Sequence, residues 1–342
     1  ITKAMQISKL SIIEPAWKAK VYSPQIEDNL LFAFILSVIV GFGLAFLIEY
    51  LDDTIKDGEM LQQQFEVPLL GTIPLVPKKE QSILLPTHED GKSQSQHFLN
   101  EAFNIFSYNI KLGSLDEKIK HILITSSAPG EGKTSVSANL AINVARKGKK
   151  VALIDSDFPR PNVFRVFGIS NEVGLTNILT GEMSIEDAVQ HAEVDNLDLI
   201  ATGPKPPSAT MLFESRQFQE FLQELEDRYD FIIFDSPPVL TLNDPVILSS
   251  YVDKTILVVA ANEASRQVVK QGFNVIRKSK GDLLGAVLNK FHTGEKGHYY
   301  YYYYYYHSNN NGSRWKKLLG NLGIKSKKRR HKRPVARKTT KV

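Results

Sequence analysis

The sequence of 342 residues contains no cysteine, which excludes disulfide bonds and thiolate metal sites. Charge is also missing locally: residues 30–48 have no charged side chain, and residues 314–341 have thirteen Lys and Arg but no Asp or Glu. Because the formal net charge of the whole chain is +5, residues 1–313 carry a net charge of −8. The main part of the chain is therefore acidic, which argues against a general nucleic-acid binder.

The uncharged stretch at residues 30–48 has the length and composition of a membrane span. As an α-helix it would extend roughly 28 Å, close to the thickness of a bilayer core. A buried core helix is the alternative, but such helices seldom stay apolar on every face. We predict a transmembrane helix at 30–48, preceded by an extracytoplasmic segment at 1–29 that contains prolines. The residues before the helix contain more Lys than those just after it, and a preference of Lys for the cytoplasmic side would place the large domain outside the cell. The nucleotide site described below outweighs this bias, because ATP with Mg²⁺ is cytoplasmic.

Beyond the helix, the chain divides into a linker, a domain and a tail. Residues 49–96 are mostly polar and are interpreted as a cytoplasmic linker. Over residues 97–292, short apolar runs alternate with helical periodicity, which predicts an α/β fold with a mainly parallel sheet flanked by helices. Residues 293–307 and 308–342 show no such periodicity and are interpreted as a disordered C-terminal tail. The predicted strands are 121–125, 151–155, 197–201, 231–235, 255–260 and 284–289.

Residues 126–135 read Ser-Ser-Ala-Pro-Gly-Glu-Gly-Lys-Thr-Ser and stand between a predicted strand and a predicted helix. This is the pattern of a phosphate-binding loop in its usual context. Its glycines allow backbone N–H groups to turn inward, and the helix N-terminus favours anions. We expect Lys133 to reach the β- and γ-phosphates and Thr134 to coordinate Mg²⁺. A chance glycine-rich turn is the alternative, which the spacing of Gly132, Lys133 and Thr134 disfavours.

Acidic residues follow two other predicted strands. Asp155 and Asp157 come at the end of strand 151–155, and Asp235 ends strand 231–235. Ligands bind at the carboxyl ends of parallel strands, and a carboxylate there can hold Mg²⁺. Asp155 or Asp157 could also accept a proton from an attacking hydroxyl. A solvated strand end is the alternative for each residue alone, but a phosphate loop nearby favours the metal site.

Three motifs, at residues 127–134, 153–161 and 234–238, resemble the nucleotide motifs of bacterial tyrosine kinases of capsular and exopolysaccharide biosynthesis. Residues 15–24, 49–55 and 67–74 resemble the C-terminal part of the polysaccharide co-polymerases to which such kinases are fused. The resemblance implies a fold shared with partition ATPases, ATP and Mg²⁺ as cofactors, and autophosphorylation on tyrosine. It also implies control of polysaccharide polymerisation, chain length and export at the bacterial inner membrane, with the kinase domain in the cytoplasm.

The resemblance assigns roles to individual residues. The catalytic residues are Lys133, Asp155, Asp157 and Asp235, and the Mg²⁺ ligands are Thr134, Asp155 and Asp235. The ATP-binding residues are Pro129, Gly130, Glu131, Gly132, Lys133, Thr134, Ser135, Arg160 and Asn289.

A helix that carries a Glu and two Arg at three-residue spacing helps subunits of this family form a ring. The matching positions here are Glu101, Asn104 and Ser107, so both arginines are missing. We retain Glu101 and Asn109 as expected oligomer contacts. Two other functions stay open: a partition-type ATPase that only hydrolyses ATP, and a non-enzymatic co-polymerase scaffold that binds nucleotide. The absence of a Lys early in the phosphate loop favours the kinase over the partition ATPase.

Eight consecutive tyrosines follow the domain and are the expected phosphoacceptors, because a C-terminal tyrosine cluster is the autophosphorylation site of the family. They are Tyr299, Tyr300, Tyr301, Tyr302, Tyr303, Tyr304, Tyr305 and Tyr306. The expected partners are other copies of the chain, in a homo-oligomer whose subunits phosphorylate one another (trans-phosphorylation), the polymerase and export machinery, and a phosphotyrosine phosphatase. The basic tail at 308–342 is either solvated or bound to anionic lipid. Nucleic-acid binding is not favoured, because no base-reading fold accompanies the charge.

Overall fold

The computed structural model describes residues 26–75, 94–113, 119–279 and 281–292. The chain divides into two compact units, Ile1–Asp53 and Thr54–Val342. The described part of the first unit is essentially one helix, α1 (Ile26–Leu51), which has no buried side chain. It is long and apolar enough to cross a membrane and contains the whole predicted span, 30–48. The tyrosine cluster and the basic tail lie outside the described residues.

The second unit is built on an eight-stranded sheet with the order β1-β8-β7-β2-β6-β3-β5-β4. All neighbouring strands are parallel except β4 and β5. In chain order the elements are α2 (Gly58–Phe65), β1 (Leu69–Pro74), α3 (Gln94–Leu112), β2 (His121–Ser126), α4 (Lys133–Ala145), β3 (Val151–Asp155), α5 (Val163–Phe167), α6 (Leu175–Leu179), α7 (Ile185–Ala188), β4 (Gln190–His191), β5 (Leu197–Ile200), α8 (Ala209–Phe213), α9 (Arg216–Arg228), β6 (Phe231–Asp235), α10 (Asp244–Leu248), β7 (Lys254–Ala260), α11 (Arg266–Lys278) and β8 (Leu283–Phe291).

The central strands are mostly apolar and almost wholly buried because helices cover both faces of the sheet. Every residue of β2 and of β3 is buried. Successive side chains point to opposite faces: Ile122 and Ile124 pack in the cluster formed with α3 and α4, whereas Leu123 packs with α9. The predicted fold class is therefore confirmed, and all six predicted strands are present.

The sheet begins earlier in the chain than the sequence suggested. Part of the segment interpreted as a linker, 49–96, contributes α2 and the edge strand β1, which pairs with β8. Ile55, Leu61 and Phe65 are buried in the cluster beneath α11. The strand was missed because Gly71 and Pro74 interrupt its apolar run, and its partner lies more than 200 residues away. Residues 54–75 therefore belong to the folded domain.

The sheet topology brings the predicted site residues to one edge. β2, β6 and β3 are adjacent and parallel, so the phosphate loop after β2 lies beside the carboxyl ends of β6 and β3. Asp155 and Asp235 are register partners at those ends. The site is thus formed where three neighbouring strands end together.

Candidate active site

The phosphate loop has the backbone conformation that its glycines allow. Gly130 and Gly132 have φ values of 86° and 87°, in the left-handed region that other residues rarely adopt. A Cβ atom on Gly132 would overlap the Nδ2 atom of Asn289, whereas the space beside Gly130 is open. Asn289 Nδ2 donates a hydrogen bond of 2.9 Å to the carbonyl oxygen of Glu131. Asn289, predicted as an ATP contact, therefore braces the loop from β8.

The side chain of Glu131 is turned into the fold. It is only 4 % exposed, and its Oε2 atom accepts a hydrogen bond of 2.8 Å from the backbone N–H of Ala128. Burial raises the pKa of Glu131 to about 7, although backbone N–H groups oppose the shift. Only its backbone is therefore placed to contact phosphate, as the loop pattern requires.

Lys133 begins helix α4 and forms an ion pair with Asp157, with 2.8 Å between Nζ and Oδ2. Burial alone would lower the pKa of Lys133, but the charges of Asp235 and Asp157 raise it above its usual value. The ammonium group is therefore charged: it contacts the carboxylate of Asp157 and is also stabilised by the charge of Asp235. Asp157 also accepts the N–H of Arg160 at 3.1 Å, while the Arg160 residue is exposed.

Asp235 is fully buried and accepts two hydroxyl hydrogen bonds. Thr134 Oγ1 donates to Oδ2 at 2.7 Å, and Ser137 Oγ donates to Oδ1 at 3.0 Å. Burial raises the pKa of Asp235, and the hydrogen bonds and Lys133 only partly offset it. Sequence reasoning missed Ser137, although its place one turn after Thr134 on α4 was a signal for it.

Asp155 organises the loop that follows β3. Its Oδ1 atom accepts the N–H of Asp157 at 3.1 Å, and its Oδ2 atom accepts those of Asn162 and Val163, each at 2.9 Å. Burial and the nearby charge of Asp235 raise the pKa of Asp155. Both carboxylate oxygens are thus engaged with the backbone, and a direct bond from Asp155 to a metal stays a prediction.

These groups suit a magnesium–nucleotide complex better than a free metal ion. In the described part of the chain, no three His, Cys, Asp or Glu side chains are grouped to hold a metal. Magnesium in phosphoryl-transfer sites needs only one or two protein ligands, because phosphate oxygens and water complete its shell. The Thr134 hydroxyl beside the Asp235 carboxylate provides such a partial set, and a cation there would relieve the cost of the buried carboxylates.

The expected oligomer residues lie on α3, where the polar side chains bond largely within the chain. Asn109 Nδ2 donates to the carbonyl oxygen of Leu70 at 2.9 Å, whereas Glu101 is exposed. Asn104 and Ser107, which stand where arginines were expected, both hydrogen-bond to Asn143 on α4. Glu101 and Asn109 as contacts between subunits therefore stay a prediction.

A family described as an AAA domain matches residues 119–286. The tyrosine-protein kinase YwqD of Bacillus subtilis (strain 168) is 37% identical over 190 residues, covering 56% of this chain and 80% of the relative. The tyrosine-protein kinase CpsD of Streptococcus pneumoniae serotype 4 is 34% identical over 191 residues, covering 56% and 83%. The tyrosine-protein kinase ptk of Acinetobacter johnsonii is 26% identical over 304 residues, covering 87% of this chain. The chain spans 42% of the length of that third relative.

Solved structures agree with these relatives. The chimerical protein CapA2B2 superposes with a TM-score of 0.63 at 32% identity, covering 69% of this chain and all of that one. The kinase domain of VpsO superposes with a TM-score of 0.51 at 36% identity, covering 56% and 93%. The residues that match the family model include the phosphate loop and the strands that end at Asp155 and Asp235. The chain belongs to the bacterial tyrosine kinases of capsule biosynthesis, as its motifs predicted, and it is a nucleotide-binding protein-tyrosine kinase.

Proposed function

We propose that this kinase transfers the γ-phosphoryl group of ATP to the tyrosines at 299–306 of its own sequence and thereby regulates polysaccharide polymerisation, chain length and export. The observation that carries the proposal is the convergence of Lys133, Thr134, Asp157 and Asp235 at the phosphate loop. A phosphoryl-transfer site needs a cation on the phosphates, a metal position and a carboxylate near the nucleophile. Lys133 supplies the cation, Thr134 and Asp235 supply the metal position, and Asp157 supplies the carboxylate.

Backbone N–H groups of residues 130–135 and the Lys133 ammonium group would hold the phosphates. Thr134 and Asp235 would hold Mg²⁺, which when bound neutralises charge on the transferred phosphoryl group. Ser137 fixes the Asp235 carboxylate from the side opposite Thr134, because it donates to the other oxygen. The protein therefore contributes mainly position and charge, which are the dominant factors in phosphoryl transfer.

In the transfer step, the phenol oxygen of a tyrosine bonds to the γ-phosphorus atom. The bond from that phosphorus to the β–γ bridging oxygen breaks, and ADP leaves. The phenol proton passes to the carboxylate of Asp157, the acidic residue of this edge that pairs with Lys133. Lys133 balances the charge of Asp157 before phosphates arrive, so the cation is already in place for them.

Membrane attachment and partners follow from the same proposal. Helix α1 would anchor the chain in the bacterial inner membrane, with the kinase domain in the cytoplasm, where ATP is. The partners would be other copies of the chain, the polymerase and export machinery, and a phosphotyrosine phosphatase. The basic tail would bind anionic lipid through its thirteen Lys and Arg at residues 314–341. An ATPase without kinase activity and a non-enzymatic scaffold are not favoured, because the relatives are tyrosine kinases.

Substitution of Lys133 by Met tests the kinase assignment. The purified full chain in detergent is incubated with labelled ATP and Mg²⁺, and phosphotyrosine is measured. We expect Lys133→Met to remove at least 99% of the label, because a positioned cation contributes on the order of 100-fold or more to such rates. Lys149, an exposed lysine with a long contact to Asp230, provides the control Lys149→Met, which should keep full activity.

The fold of the Lys133 variant must be checked, because the lysine side chain is mostly buried and its loss leaves Asp157 without a cation. Circular dichroism and thermal unfolding of both variants provide this check. A folded Lys133→Met chain that phosphorylates tyrosine at the wild-type rate would overturn the proposed function.

A further inference from the structure

Two hydroxyl groups of helix α4 hold the carboxylate of Asp235, the residue that ends β6. The Thr134 hydroxyl donates to Oδ2 at 2.7 Å, and the Ser137 hydroxyl donates to Oδ1 at 3.0 Å. Residues three positions apart share one face of a helix, so both hydroxyl groups face the end of the strand. The carboxylate is fully buried and is therefore fixed at both of its oxygen atoms.

The Ser137 hydroxyl has a second acceptor, the carbonyl oxygen of Lys133 at 2.9 Å. A serine in a helix can bond back in this way to the residue four positions earlier. Because a hydroxyl group has only one hydrogen, Ser137 shares it between Lys133 and Asp235. Ser137 thereby links the first turn of α4, which begins at Lys133, to the end of β6.

Ser137 differs from Thr134 in what its hydroxyl group can contact. Thr134 is the expected magnesium ligand, and a hydroxyl oxygen can bind a metal through a lone pair while its hydrogen is donated to a carboxylate. Ser137 has no exposed surface and lies one turn further along α4, away from the phosphate loop. Any effect of Ser137 on a bound metal must therefore act through Asp235.

Removal of the Ser137 hydroxyl would leave Oδ1 of Asp235 buried without this donor, so the carboxylate could turn away from its present orientation. Hydrogen bonds of this kind orient metal ligands, and their loss typically costs about 10- to 100-fold in metal affinity. Since Ser137 divides its hydrogen between two acceptors, we expect the lower end of that range, about tenfold.

We propose that Ser137 is a positioning residue of the magnesium site. By holding Oδ1 of Asp235, it directs that carboxylate toward the position next to Thr134 and sets the affinity for Mg²⁺ in the nucleotide complex. This inference rests on the proposed function, which assigns Mg²⁺ to Thr134 and Asp235. The competing interpretation is that Ser137 only fills space between α4 and the sheet, as many small buried residues do.

The metal dependence of ADP binding tests the inference without any turnover. The full chain in detergent is titrated with a fluorescent ADP analogue, first in EDTA and then over a series of Mg²⁺ concentrations. We expect Ser137→Ala to bind the analogue in EDTA within twofold of wild type. The Mg²⁺ concentration that gives half of the affinity gain should rise about tenfold, because only the metal position is disturbed.

Two further variants separate this role from a general loss of packing. Ser249→Ala removes the hydroxyl of another buried serine, which donates to the carbonyl oxygen of Val246 at 2.7 Å, and should behave as wild type. Ser137→Thr keeps the hydroxyl and should restore the Mg²⁺ response. Thermal unfolding checks that each variant is folded. If the added methyl group of Ser137→Thr prevents folding, the comparison of the two alanine variants decides.

The inference is wrong if Ser137→Ala needs no more Mg²⁺ than wild type, or if its affinity falls by the same factor with and without Mg²⁺. A folded Ser137→Thr chain that needs as much Mg²⁺ as Ser137→Ala would also contradict it. These outcomes leave the proposed function intact. A wild-type chain whose ADP affinity does not respond to Mg²⁺ would instead refute the magnesium site of the proposed function, and this inference with it.

Discussion

Replacing Gly132 by Ala tests how far nucleotide affinity depends on the brace from β8. Gly132 has a φ of 87°, and a Cβ there would overlap Asn289 Nδ2. An Ala in the left-handed region costs about 1–2 kcal/mol. Displacement of Asn289 would also break its hydrogen bond to Glu131, worth about 1 kcal/mol. The sum of about 2–3 kcal/mol corresponds to a loss of roughly 30- to 150-fold in ATP affinity.

Gly130 provides a matched comparison within the same loop. Its φ of 86° is nearly the same, but no atom lies within 4 Å of the Cβ position. Gly130→Ala should therefore have only the backbone cost of about 1–2 kcal/mol, which corresponds to a loss of roughly 5- to 30-fold in ATP affinity. Gly148→Ala, at a φ of 82° in open space outside the loop, should leave ATP affinity unchanged.

Titration of each full-length variant with a fluorescent ATP analogue in the presence of Mg²⁺ measures these affinities. Asn289→Ala alone should weaken ATP binding by about 1 kcal/mol. The double variant with Gly132→Ala should weaken ATP binding by about 1 kcal/mol less than the sum of the two single changes. The reason is that the hydrogen bond to Glu131 is lost only once. Equal affinities for Gly130→Ala and Gly132→Ala, with additive behaviour of the pair, would refute the role assigned to Asn289.

Three further predictions concern the acceptors, the buried acid and the tail. Changing residues 299–306 to Phe should abolish most self-phosphorylation and leave ATP binding unchanged; mass spectrometry that finds the label mainly at Tyr108 or Tyr251 would contradict it. Because the pKa of Glu131 is raised from 4.5 to about 7, its contribution to stability should decline by on the order of 3 kcal/mol as the pH rises from 4.5 to 7. Glu131→Gln should flatten this decline in chemical unfolding curves, and identical pH profiles would contradict the assignment. The full chain without residues 308–342 should bind anionic vesicles less tightly than wild type, and prior autophosphorylation of the wild type should weaken its binding, because eight phosphotyrosines add about −12 to −16 charges. If the phosphorylated and unphosphorylated chains sediment equally with such vesicles, phosphorylation does not release the tail from lipid.

Local patterns were sufficient to predict the core of the site. The spacing of Gly130, Gly132, Lys133 and Thr134 specifies the loop, because each residue acts through its own backbone conformation or side chain. Asp235 was predictable for a similar reason: an acid at the end of an apolar strand in a parallel sheet lies at the ligand-binding edge. The structure places these residues together as the sequence indicated.

Contacts between distant segments could not be predicted in this way. The hydrogen bond from Asn289 to Glu131 joins residues 158 positions apart and depends on the strand order, which periodicity does not reveal. The inward orientation of Glu131 depends on the packing around it, since a Glu in a glycine-rich loop would otherwise be expected in solvent. The engagement of both Asp155 oxygens likewise depends on how the loop to Val163 folds back.

The edge strand β1 has a consequence for how the enzyme can be divided. A fragment beginning at residue 97, the domain start expected from the sequence, would lack β1 and the buried side chains of Ile55, Leu61 and Phe65. β8 would then become an open edge whose unpaired N–H and C=O groups invite intermolecular pairing and aggregation. Residues 54–75, which follow α1, are therefore an integral part of the sheet and core of the kinase domain. Any soluble version of this kinase must retain residues 54–75 or receive an equivalent strand from elsewhere.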